Sequence, residues 1–185
     1  MDKSIPTISF TGHRPGKLPN IHIVEFNINL ILRTFIKTLP EGSRGNVVSG
    51  MALGVDNIAA KETIKLKERL NLVAAIPFKG QEKMWPEHCQ NEYHFLLGCA
   101  EKVVEVSDPP YEAYKMKTRN CFMVNNSDVL ISFWDGTKGG TFHCHSYAIG
   151  KNKPVFLVDK DAVLSYNDLE RLENTLKGKG LNDES

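Results

Sequence analysis

Residues 46–60 read NVVSGMALGVDNIAA. Asn46–Ser49 has the short apolar, β-branched character of a strand buried on both faces. The chain then turns through glycines, and Val55, Ile58, Ala59 and Leu66 recur at helical spacing. Strand, glycine turn, helix is half of a β-α-β unit, and the same pattern repeats on both sides of this stretch. Further strands are expected at Thr7–Thr11, Leu72–Pro77, Lys102–Val106, Asp128–Trp134 and Pro154–Val158. Helical patterns fill the gaps: Ile28 to Leu39, Trp85 to Leu97, Ala113 to Val124 and Thr141 to Lys151. One more helical pattern runs through Leu164–Leu176, followed by the polar tail KGKGLNDES, which is expected to fray. Alternation of this kind predicts an α/β fold: a mostly parallel sheet of about six to seven strands with helices on both faces. The spans expected are one domain over residues 1–160, with 161–185 as a C-terminal helix and tail packed on it or fraying from it.

Composition narrows the function. The chain has 185 residues, enough for one sizeable core, and is 41% hydrophobic, which favours a packed globule over disorder. A formal net charge of +1 supplies neither a long nucleic-acid groove nor attraction to an anionic membrane. No apolar run approaches the ~20 residues of a membrane span, and the N-terminus MDKSIPTISF lacks the features of a signal peptide. A cytoplasmic protein is expected. Cys89, Cys99, Cys121 and Cys144 form no CxxC pair and read as reduced thiols rather than a zinc site. No cofactor is called for.

Open parallel sheets bind ligands outside the carboxyl ends of their strands. The segments there are TGHRPG, SGMALGVD, PFKGQEKMW and WDGTKGGT. Ser49, Gly50, Met51, Gly54 and Asp56 form a turn into a helix, whose first N–H groups can cradle a phosphate. Asp56 either caps that helix or accepts from a ribose hydroxyl. An ordinary strand-to-helix turn explains the glycines equally well, and there is no GK[ST] of a Walker loop. Asp135 opens the loop after the fifth strand, where Gly139, Gly140 and Thr141 repeat the arrangement. Two such loops at one crevice suggest a phosphate or pyrophosphate.

Gly12, His13 and Arg14 share this edge. Arg14 can grip a phosphate in bidentate fashion, or pair with Asp56 or Glu82. His13 can donate a hydrogen bond or exchange a proton near neutral pH. Glu82, with Phe78 and Trp85 nearby, is a candidate for binding a ribose or base, for general acid/base catalysis, or for nucleophilic attack at a glycosidic carbon. It reads equally as a helix N-terminal charge. Arg119 either reaches the crevice or is a solvated helix residue. Asn120 shares the face of Met116 and Met123, so it needs a partner and is expected to tie its helix to a loop. His143 and His145 are two apart on a helix, a poor spacing for chelation. No metal site is assigned, although one of the two is a candidate to face the ligand.

In this order, TGHRP, SGMALGVD, IPFKGQEKMW, YKMKTRNCFMVNNSD and KGGT resemble the YpsA-like branch of the SLOG superfamily. That superfamily includes the DNA-processing protein DprA and the LOG cytokinin-activating hydrolases. The likeness runs from Thr7 to about Asp159. It implies a Rossmann-like sheet that binds nucleotides or ADP-ribose-like and cyclic nucleotide ligands, with phosphates at Gly50–Asp56 and Gly139–Thr141. It also implies self-association and, for small standalone members, occurrence in phages and mobile elements. The LOG enzymes cleave a base from its ribose phosphate with an Arg and a Glu of a PGGxGTxxE motif. KGGTFHCH has no Glu at that place, so the reaction is not carried over, and Glu82 would have to serve from another loop. The expected role is binding of a nucleotide-derived ligand, as a sensor or by sequestration. An N-glycosidase, which needs Glu82 or Asp56 within reach of an anomeric carbon, is the alternative, and a DNA or protein interaction module the weaker one; the small net charge argues against nucleic acid.

Overall fold

The computed structural model describes residues 2, 4–18, 20–108 and 110–178. Six parallel strands form one sheet: β1 (Thr7–Gly12), β2 (Gly45–Ser49), β3 (Leu70–Ile76), β4 (Lys102–Glu105), β5 (Val129–Phe133) and β6 (Val155–Val158). Six α-helices intervene: α1 (Ile21–Thr38), α2 (Val55–Lys65), α3 (Glu87–Cys99), α4 (Ala113–Asn125), α5 (Gly140–Gly150) and α6 (Tyr166–Leu176). The strand order is β4-β3-β2-β1-β5-β6, and every pairing is parallel. The expected mostly parallel sheet is thus wholly parallel, with six strands.

Successive strand residues serve opposite layers, which is why the strands read as unbroken apolar runs. Val47 joins the core of Ile8, Phe10, Ile28 and Phe35, whereas Val48 joins Val73, Ala75 and Met123 beneath α4. Leu72 packs with Tyr93 and Leu96 of α3. Leu130 packs with Val124, Cys144 and Ala148. Helices α1, α2, α3 and α6 therefore cover one face, and α4 and α5 the other. The exception is β4, where Lys102, Val103 and Glu105 are exposed; charged residues on an edge strand discourage pairing with another chain.

Two side chains set the ends of the fold. Asn20 caps α1, accepting from the N–H groups of His22 and Ile23 at 3.0 and 3.4 Å. Asn27, buried in α1, donates to Ala162 O at 2.8 Å and accepts from Leu164 N at 3.0 Å, pinning the segment that leads into α6. Ser165 and Asp168 then form a reciprocal capping box, and Leu172 buries α6 against α1. The last part of the polar tail, 179–185, lies outside the described residues. Among the described residues no helix is long and apolar enough to cross a membrane.

The strand order reverses between β1 and β5. From β1 the chain steps outward through β2, β3 and β4, then returns to the other side of β1 for β5 and β6. The crevice that such a reversal opens lies at the carboxyl ends of β1 and β5.

Candidate functional site

That crevice has a volume of about 740 Å³. Of the residues expected at a site, it brings together Gly12, His13, Arg14, Asp56, Trp85, Arg119, Asn120, Gly139, Gly140 and Thr141. Four cations line it, Arg14, Lys17, Lys138 and Arg119, against one carboxylate, Asp56. Met84, Trp85, Tyr111 and Met116 form an apolar and aromatic wall.

The two glycine loops are not equivalent. At α2 the amides are taken by the chain itself: Val55 N donates to His13 O, Asn57 N to Ala52 O and Ile58 N to Gly54 O. Gly54 has φ +100°, and a Cβ there would run into the His13 carbonyl, so glycine is needed twice over. Ser49 donates to Asp56 O at 2.8 Å and accepts from Met51 N at 3.1 Å, which helps hold Met51 at φ +57°. Ser49, Gly50, Met51 and Gly54 are accordingly a buried framework behind the crevice and not part of its lining. At α5, by contrast, Gly139 is the N-cap, no side chain caps the helix, and a Cβ at Gly139 or Gly140 would meet open space. Its first amides, with the positive end of the helix dipole, face the crevice. Thr141 lines the crevice, and its hydroxyl has no partner among the described residues.

Arg119 connects the loops. Its Nη1 donates to the Gly50 carbonyl and lies 3.3 Å from Asp56 Oδ2, and its Nε donates to Asn120 Oδ1 at 3.0 Å. Asn120 Nδ2 in turn donates to Gly140 O at 3.1 Å. The expected tie from α4 to a loop is this bond, and Arg119 is buried rather than solvated. Burial pushes the Asp56 carboxyl up, opposed by the Arg119 guanidinium, the Ala52 N–H and Arg14. Arg14 itself is exposed and forms no ion pair among the described residues, with Asp56 or with Glu82.

His13 is buried, and its Nε2 lies 2.8 Å from Asp135 Oδ1. Asp135 N also lies 3.4 Å from this nitrogen, so the ring is held by both the side chain and the backbone of Asp135. Asp135 also accepts from Thr137 N and Oγ1, at 3.1 and 2.7 Å, and these bonds, with His13, hold its carboxyl well below the usual range. Lys17 Nζ donates to Thr137 Oγ1 at 3.2 Å, so two ties join the loops after β1 and β5. Asp135 braces these two loops without lining the crevice.

The third-strand loop departs most from expectation. It turns Gln81 and Trp85 inward and leaves Met84 exposed at the rim, while Glu82 is buried away from the crevice lining, 3.7 Å from His94 Nε2. Glu82 is not the N-terminal charge of α3 either; Glu87 holds that place. Phe78 is buried behind the wall, edge-on to Tyr111 at 5.8 Å. His143 stacks along Tyr147, and His145 bonds Ser132 and packs on Trp134; neither lines the crevice.

Sequence reasoning missed Lys17, Lys138 and Tyr111. Tyr111 follows β4, whose end was not read as part of the edge. Lys115 holds that loop: its buried ammonium donates to Asp108 O and Pro110 O at 2.7 and 2.8 Å. The cue was a lysine in the first turn of a helix that follows a proline-containing loop.

A UPF0398 protein of Halalkalibacterium halodurans is 30% identical over 142 residues, 72% of this chain and 75% of that one. The SPbeta prophage-derived protein YoqJ of Bacillus subtilis is 26% identical over 132 residues, covering 64% of this chain and 77% of its own. Among solved structures, DprA of Streptococcus pneumoniae superposes with a TM-score of 0.63 at 17% identity, over 96% of this chain. The chain spans only 57% of that protein's length. The Moco carrier protein of Chlamydomonas reinhardtii gives a TM-score of 0.51 at 15% identity, over 83% of this chain and 76% of that one. At these identities the structures share the fold. The family model described as the YspA SLOG family (YpsA) matches residues 8–161, and the chain belongs to that family.

Proposed function

We propose that the crevice binds a phosphorylated, nucleotide-derived small molecule and that the protein acts by holding it, as a sensor or by sequestration. One observation carries this reading: an uncapped helix N-terminus flanked by Arg14, Lys17 and Lys138 shares a crevice with an aromatic wall of Trp85 and Tyr111. The first set suits phosphate oxygens, and the second suits a base. Binding is favoured over glycosidic cleavage because, of the two carboxylates that cleavage could use, Glu82 is turned toward His94 and Asp56 is paired with Arg119. The prophage-derived relative fits a sequestering role, and the four free cysteines fit the cytoplasm.

The test is a thermal-shift series with ADP, ADP-ribose and a cyclic dinucleotide, followed by chromatography of each ligand. A ligand at 100 times its dissociation constant stabilises by ~2.7 kcal/mol. Stabilisation with the ligand recovered intact is expected. Stabilisation with the ligand consumed overturns sequestration, and no stabilisation by any of them overturns the nucleotide reading and directs attention to a macromolecular partner.

A further inference from the structure

The crevice residues follow the strand order along the carboxyl edge of the sheet. Tyr111 follows β4, Trp85 follows β3, Asp56 follows β2, Arg14 follows β1 and Gly140 follows β5. Neighbouring strands lie roughly 5 Å apart, so the anion end and Asp56 are separated by two strand spacings, about 10 Å at the backbone. Side chains narrow that gap. The edge therefore presents, in sequence, amides and cations, then a carboxylate, then rings.

The two oxygens of Asp56 differ. Oδ2 accepts from Arg119 Nη1 at 3.3 Å and from Ala52 N at 3.4 Å. Oδ1 takes no hydrogen bond among the described residues, yet it is not among the polar atoms sealed from solvent. The side chain is more than nine-tenths buried and lines the crevice. Open to solvent, that oxygen can be met by water in the free protein, and a ligand that displaces the water must itself donate to it or leave the oxygen unpaired. Phosphate oxygens cannot. A sugar hydroxyl lying between a phosphate and a base can.

We infer that Asp56 Oδ1 accepts a hydrogen bond from a ribose hydroxyl of the ligand, which makes the site selective for ribonucleotides over their deoxy counterparts. This rests on the reading that the crevice holds a phosphorylated nucleotide-derived molecule. Arg119 fixes the carboxylate through Oδ2 and leaves Oδ1 as the reading atom. A site built to pair a hydroxyl discriminates against an analogue lacking it, because the site's own polar atom is then left unpaired.

The test is calorimetric titration of the full chain with ADP, 2′-deoxy-ADP, 2′,3′-dideoxy-ADP and inorganic pyrophosphate. ADP is expected to bind about tenfold or more tightly than dideoxy-ADP. In Asp56→Asn the two should differ by less than about twofold, with dideoxy-ADP affinity largely kept. Asp56→Glu, which keeps a charge beside Arg119 but displaces the oxygen, should lose the same discrimination. Equal affinities in the unaltered protein overturn the inference, whatever the variants do, and leave the anion-binding reading standing. Discrimination that survives both variants places the hydroxyl contact elsewhere and overturns the assignment to Asp56. Failure of all three nucleotides to bind overturns the inference; pyrophosphate binding then shows that the anion site survives, and its absence that the underlying reading fails as well.

Discussion

Arg119 Nη1 lies 3.3 Å from Asp56 Oδ2, and both side chains are more than nine-tenths buried. Taking two charges out of water costs several kcal/mol per ion, and the offset here is shared among named partners. Gly50 O and Asn120 Oδ1 accept from the guanidinium, and Ala52 N donates to the carboxylate. Arg119→Met removes one partner and strands the other, and should destabilise the fold by about 3–5 kcal/mol in denaturant melts. Replacing both partners, as in Asp56→Leu with Arg119→Met, should recover much of that loss. The single variant also carries a pH signature. The Asp56 carboxyl is already raised by burial, and without the guanidinium it rises further. A raised carboxyl contributes stability that is present below its unfolded pKa and lost as pH climbs through the folded one. The deficit of Arg119→Met relative to the unaltered protein should therefore narrow as the pH is lowered toward about 4.

The contrast between the glycine loops is tested by adding one methyl to each. A Cβ at Gly50 would collide with the Arg119 guanidinium and crowd Asp56, so Gly50→Ala should lose stability by a few kcal/mol through the same buried pair. A Cβ at Gly140 meets nothing within 4 Å. Gly140→Ala should melt at or above the temperature of the unaltered protein, since alanine is the better helix former. Its methyl stands at the mouth of the uncapped helix, and ADP affinity should fall. Equal binding by the two proteins would show that the ligand does not approach α5.

The strands were legible because burial on both faces leaves unbroken apolar runs, and Val47 and Val48 serve opposite layers. The strand order was not, because nothing local in β5 says that it returns beside β1. The loop motifs marked the right edge of the sheet, yet sequence alone made SGMALGVD and KGGT look alike. They differ through residues far away in the chain: His13 O fills the first, and among the described residues nothing fills the second. Glu82 shows the same limit. Its neighbours Gln81 and Trp85 line the crevice, while one residue's rotation along the turn sends the carboxylate toward His94. Lys138 was overlooked although it sits inside a quoted motif, because a lysine between glycines carries no periodicity.

Two acidic groups set the alkaline limit. Burial pushes the Cys144 thiol up to about 12 from its ordinary 9.0, and the Tyr93 phenol up to about 12 from 10.0. Each is neutral in the fold at pH values where the unfolded chain would ionise it. Their contribution is complete below about pH 9 and is lost as the pH rises toward 12. Stability should fall above about pH 9. In the same experiment Cys99, which is exposed, should react with iodoacetamide at pH 8, while Cys144 should react only after unfolding. Early labelling of Cys144 would contradict its burial under α5.

Arg14 separates binding from folding most cleanly, because it is exposed and has no ion-pair partner among the described residues. The loop that carries it is held by other groups: His13 to Asp135, Lys17 to Thr137, and Val55 N to His13 O. Arg14→Ala should therefore leave the melting temperature unchanged. If the guanidinium meets phosphate at the N-terminus of α5, ADP affinity should drop about tenfold, the scale of one charge-assisted contact. The loss should be larger for Arg14→Ala than for Lys138→Ala, since the guanidinium can make a bidentate contact and the ammonium cannot. It should also shrink between 0.05 and 0.5 M salt, roughly the range over which an exposed cation becomes screened. A variant that melts normally and binds ADP as tightly as before would show that Arg14 is a solvated surface residue, and would leave the anion grip to Lys17, Lys138 and the amides of α5.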